Sequence, residues 1–156
     1  MRRVILRWKT SSLRDSKEIS GILEICERIE ILGHLSITDQ GVTQLAEVKL
    51  KEGKKIEELN DLENFEVIEI HEENEDGVLV SLFCNHNLAV TAIELSNIHI
   101  HPPYGISEKE GMEMRISGLS NSVRRFIQLI RIVLPPDNIS VQTFQKENNN
   151  NVWKTI

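Results

Sequence analysis

Cysteine and histidine are the side chains best suited to hold a transition metal or to act on a small molecule, and this chain gathers several within one short stretch. Cys84-Asn85-His86 is followed by His99-Ile100-His101. The run Val78 to Cys84 reads as a strand ending on the thiol, and Asn97 to His101 as a second strand ending on an imidazole. With one strand between them in a βαββ layout, both strands run toward the same end of the sheet and their ends lie roughly 10 Å apart. A thiolate with two imidazoles suits zinc or a similar ion. However, the spacing matches no compact zinc module, and His99 and His101 share a strand face through simple alternation. The same convergence without metal makes a small-ligand pocket of Cys84, Asn85, His86 and His101, with Tyr104 supplied by a loop His101-Pro102-Pro103-Tyr104-Gly105 folding over it. A helix beginning just after Cys84 would lower the thiol pKa and make it reactive. A purely structural role for all five residues stays open beside these readings, and no metal is assigned.

Catalytic patterns are otherwise absent from the sequence. There is no phosphate-cradling glycine loop, no GxSxG and no HExxH. The acidic run Glu72-Glu73-Asn74-Glu75-Asp76 has carboxylates, but a polar linker holds an acid and a base in no fixed geometry. Met112 and Met114 sit at strand spacing and read as core. Thr10, Ser11, Ser12, Thr38, Asp39 and Gln40 read as caps and turns that could also bind a polar ligand. The expectation is a non-enzyme without a cofactor.

The elements that must position these residues follow from periodicity. Arg3 to Lys9 is rich in β-formers and stops at Thr10-Ser11-Ser12. Ile19, Ile22, Leu23, Cys26 and Ile29 recur at helical spacing, which predicts an amphipathic helix over Ser16 to Ile29, capped by Asp15 or Ser16. Ile31 to Thr38 and Val42 to Leu50 form a hairpin about Asp39-Gln40-Gly41. Ile56, Leu59 and Leu62 mark a short helix, and Phe65 to Ile70 a fourth strand before the acidic linker. The order β-α-β-β-α-β then starts again: strand Val78 to Cys84, helix His86 to Leu95, strand Asn97 to His101, strand Gly111 to Ser117, a helix capped by Ser120 or Ser122 and stopped by Pro135-Pro136, and strand Ile139 to Phe144.

A βαββαβ order repeated at a period of roughly 75 residues predicts an α+β fold of two tandem ferredoxin-like units with antiparallel sheets. The expected bounds are 2–75 and 76–146, with an asparagine-rich flexible tail over 147–156. One small helix-covered sheet hides limited area, and packing two together relieves that.

Composition narrows the partners. Net charge is −6 with 27% charged residues, which disfavours direct DNA binding, since duplex affinity comes from neutralising phosphates with Lys and Arg. The local basic groups are Arg2, Arg3 and Arg7, and later Arg124, Arg125 and Arg131. Two cysteines outside any CxxC read as reduced thiols. No run nears the ~18 apolar residues of a membrane helix, so a cytoplasmic protein without membrane contact is expected. Edge strands and an open sheet face suggest a homo-oligomer.

The stretch Phe83-Cys84-Asn85-His86, the strand closed by Pro102-Pro103, and Glu110-Gly111-Met112-Glu113-Met114 resemble the N-terminal region of archaeal regulators of the bacterio-opsin-activator type. The resemblance implies a sensor region responding to a small-molecule effector, with DNA reached only through a helix-turn-helix expected after Ile156. A stand-alone metabolite-binding protein and a metal sensor using Cys84, His86 and His101 remain the alternatives.

Overall fold

The first strand, β1 (Arg2–Trp8), buries Val4, Leu6 and Trp8 on one face, as its alternation requires. The computed structural model describes residues 1–85 and 97–142. A short helix α1 (Thr10–Leu13) occupies the expected turn, and α2 (Lys17–Ile25) follows, its first turn capped by the Ser16 hydroxyl, which accepts from the Ile19 amide. The helix ends four residues before the periodicity does. Cys26–Ile29 instead open a long strand, β2 (Cys26–Thr38), because Ile29 and Ile31 fill the sheet's core face at period 2.

β3 (Gly41–Leu50) returns along β2. A 3-10 turn over Ile56–Asp61 buries Ile56 and Leu59, then β4 (Phe65–Asn74) and β5 (Gly77–Cys84) form a hairpin. The acidic run is therefore no linker. Glu72 and Glu73 are paired with Leu79 and Val78, and the Asn74 side chain accepts from the Asp76 and Gly77 amides to close the turn. Charges on an edge strand are well solvated, so acidity and strand structure coexist there.

After the undescribed 86–96 come β6 (Ile98–Ile100), β7 (Tyr104–Ser107), β8 (Gly111–Gly118), α3 (Ser120–Val133) and β9 (Asn138–Gln142). The residues read as a folded-over loop thus contain a strand: β6 and β7 both pair with β8 on either side of His101-Pro102-Pro103. Proline lacks the amide that the ladder needs, so pairing with β8 lapses there and resumes at Gly105. α3 starts from Leu119 without a side-chain cap, while Ser122 is buried inside it. The helix expected over His86 to Leu95 and the tail over 147–156 lie outside the described residues.

The strands do not form two separate four-stranded sheets. Among the described residues they make one antiparallel sheet of nine strands, ordered β4-β5-β3-β2-β7-β8-β1-β9, with β6 beside β8. The halves interleave: β5 lies between β3 and β4, and β1 lies between β8 and β9. The halves join where β2 meets β7 through Arg28–Ile31 and Tyr104–Ser107. A single sheet wins because β5, buried along Val78, Val80 and Leu82, needs a partner on each side, and β3 and β4 supply both.

Among the described residues, the helices and the two large apolar clusters lie on one face. One cluster packs Leu6, Trp8, Met114, Phe126 and Ile130, and a second packs Ile29, Val48, Leu59 and Leu82. Tyr104 and Ile106 touch both. Trp8 is anchored further by its indole N–H, which donates to the Leu134 carbonyl at 2.9 Å. Asp137 receives the Lys9 amide and the Ser12 hydroxyl, and Glu108 pairs with Arg14 and Lys51, tying the first part of the chain to its later segments.

Candidate functional site

Between the two clusters, under α2 and α3, lies a cavity of about 110 Å³. Its walls are apolar, with Ile22 from α2, Ile31 from β2, Met112 and Met114 from β8, and Phe126 from α3. The polar groups converge at one pole. Tyr104 comes from β7, Gln44 from β3 and Cys84 from the end of β5. The arrangement follows from register: Gln44 stands on the inward side of β3 with Val42, Ala46 and Val48, and β7 brings Tyr104 opposite Ile31.

The pole is hydrogen-bonded. The Gln44 amide donates to the Tyr104 hydroxyl oxygen at 3.1 Å, and that hydroxyl lies 2.7 Å from Nε2 of His34. The hydroxyl donates to the ring or accepts from it according to the imidazole tautomer. Burial, with His99 adding to it, lowers the His34 pKa, so the ring stays neutral. Burial, helped by Cys84, pushes the Tyr104 hydroxyl far up, against a smaller opposing effect of the Gln44 bond. The pole is thus a neutral donor and acceptor pair in apolar walls. It can orient one polar group of a bound molecule.

The residues expected to converge are split by the fold. Cys84 and Tyr104 share the cavity. Asn85 is exposed, and its amide donates to the Asn64 carbonyl. His86 lies outside the described residues. His101 stands on the opposite face, 2.8 Å from the Ser117 hydroxyl, while its amide donates to the Arg115 carbonyl. β3 and β2 both separate β5 from the strands flanking His101, instead of the single expected strand. Interleaving of the halves causes the separation, so Cys84 and His101 cannot share a ligand. Among the described residues no group of three or more His, Cys, Asp or Glu could hold a metal ion. The other thiol, Cys26, is pushed up to about 12 by burial despite the nearby Lys51 charge, and is inert as a nucleophile.

Two pole residues escape sequence reading. Gln44 carried a signal, being the polar residue at an inward position of an alternating strand. His34 carried none, because bulges in β2 between Ile31 and Gly33 and between His34 and Ser36 decide which way it points.

Comparison with known proteins adds no family: no family model matches the chain, and neither curated proteins nor solved structures yield a match. Among the described residues, no helix is long and apolar enough to cross a membrane.

Proposed function

We propose that this chain is a non-catalytic, ligand-responsive module that takes a small, largely apolar molecule with a single neutral polar group. The cavity at the junction of the two cores carries this reading. A dry cavity of ~150 Å³ binds benzene in other proteins, and this one, at about 110 Å³, is bordered by two methionines whose side chains yield readily. The ligand's polar group would meet Tyr104 and Gln44. Contact with both cores would make occupancy felt by both halves.

The sheet supports a reading of its origin as well. Each end of the strand order, β4-β5-β3-β2 and β9-β1-β8-β7, follows the ferredoxin-like sequence 4-1-3-2 if the first strand of each βαββαβ unit is contributed by the other unit. We therefore favour two such units with exchanged first strands. In a transcription regulator of the type the sequence resembles, such a module would pass its ligand state to a DNA-binding segment.

Thermal unfolding with indole, benzyl alcohol and short aliphatic alcohols tests the cavity. A saturable rise in midpoint, reduced in Tyr104→Phe, is expected by mass action. No rise at millimolar ligand would overturn it.

A further inference from the structure

The outer face of α3 is basic, partly apolar and free of acid. At about 100° per residue, Asn121, Arg124, Arg125, Gln128, Arg131 and Ile132 fall within about a third of the helix circumference, opposite the buried Val123, Phe126 and Ile130. All three arginines are exposed, and among the described residues none has an ion-pair partner. Ile132 stands on the same face, 81% exposed. Arginine beside a large apolar side chain is the composition of a contact surface rather than of an ordinary solvated helix.

The matching surface is the far edge of the sheet. β4 ends the strand order, and every residue from Ile68 to Asn74 is exposed. Bulges between Val67 and Glu69 and between Ile70 and Glu72 keep Glu66, Glu69 and Glu72 opposite Phe83, Ser81 and Leu79. The three carboxylates therefore stand in one row, where strict alternation would have split them between faces. The row spans about 14 Å, against about 10 Å between Arg124 and Arg131, and the long arginine side chains take up the difference. Glu66 and Glu72 have no ion-pair partner among the described residues, and Glu69 lies 3.4 Å from His71. Ile68 and Ile70, 52% and 39% exposed, supply an apolar part. Residues 61–77 hold eight carboxylates and no Lys or Arg, which exceeds the net charge of −6 and leaves the rest of the chain slightly positive. Lys49 of β3 reaches this hairpin at its turn, on the Glu75 carbonyl. We propose that α3 of one copy of this chain docks on β4 of a second, with its arginines on the carboxylate row and Ile132 against Ile68 and Ile70. Acidic edges repel each other, which bars pairing of β4 with β4 and leaves the edge open to a basic surface. α3 sits over β1 and β8, and four strands separate β8 from β4, so the contact joins separate copies head to tail. None of these residues lines the cavity, and the contact stands or falls independently of it.

Sedimentation velocity of the full chain between about 10 μM and about 1 mM tests the proposal. The expected result is an average mass that rises with concentration at about 50 mM salt and returns to the monomer at about 500 mM, as contacts between exposed charges require. Arg125→Glu with Arg131→Glu, and separately Glu66→Arg with Glu72→Arg, should each weaken self-association about tenfold. Mixing the two variants should restore association to within about threefold of the parent, since each then offers the charge that the other lacks. A parent that stays monomeric at low salt, assembly that ignores salt, or a mixture that associates no better than its components would overturn the contact. So would a monomer that binds a single-stranded oligonucleotide or phosphatidylserine vesicles through Arg125 and Arg131, because α3 would then serve another anionic partner. All four substitutions fall at exposed positions, and the salt response of the parent decides without them.

Discussion

The two faces of the sheet are built by different physics. The helix-covered face is apolar from β8 to β5 and closes on a cavity with one neutral polar pole. The opposite face carries Arg3, Arg7, Glu113, Arg115 and Ser117 on β1 and β8, where Ile5 is buried between Arg3 and Arg7, and Leu45, Leu79 and Phe83 among polar residues on β3 and β5. On the first face, removal of atoms costs stability because neighbours cannot close the gap. On the second, solvent screens most of what a charge gains. The helix side therefore governs stability more than the charged surface of the other side does.

The largest expected effect is on the helix side. Trp8→Ala removes a fully buried indole and its bond to Leu134, and should cost about 3–5 kcal/mol in chemical denaturation. A loss under about 1 kcal/mol would show that this core is not tightly packed. Gly105→Ala challenges the division between faces. Its position belongs to the side away from the helices, yet an added Cβ would collide with the Ile29 carbonyl oxygen, so a core-sized cost of about 1–3 kcal/mol is expected. Wild-type stability there would mean that β2 and β7 separate easily.

Tyr104→Phe sharpens the contrast, since it changes one oxygen and leaves Gln44 and His34 without their common partner. A cost of about 1–2 kcal/mol is expected. Acid should find the same network. The folded-state pKa of His34 is depressed, so its contribution is fully present above the unfolded value of about 6.5 and is lost as pH falls below it, when the unfolded chain takes up the proton first. A urea midpoint falling between neutral pH and about 5.5, and a smaller fall in His34→Gln, would bear this out. The smallest effect belongs to the open side. Although burial acts to raise its pKa, Arg7 and Arg115 hold the Glu113 carboxyl below its ordinary range. Glu113→Gln should nonetheless cost under about 1 kcal/mol and vanish in high salt; a larger, salt-independent loss would erase the contrast.

Much of the local structure was legible from residue order. The strand at Arg2–Trp8, the Ser16 cap, the hairpin at Asp39-Gln40 and the stop before Pro135 all follow from alternation, capping and turn chemistry. The acidic run misled because linkers and solvated edge hairpins share a composition. β7 escaped because Pro102-Pro103 signals a break, and pattern alone cannot show that pairing with β8 resumes at Gly105. The candidate site was legible in part: Cys84 and Tyr104 share the cavity, Gln44 could have been added from its parity, and His34 depends on bulges that only the folded ladder sets.

Residue order thus determined which segments become strands and helices and which of their faces are apolar, because those depend on contacts within a few residues. Tertiary structure alone decided that β1 and β5 sit among strands of the opposite half. Every pairing satisfies the same backbone donors and acceptors, so local sequence cannot distinguish them. Only simultaneous burial of all the apolar faces selects one. That selection set Cys84 beside Tyr104 and sent His101 to the other side of the sheet.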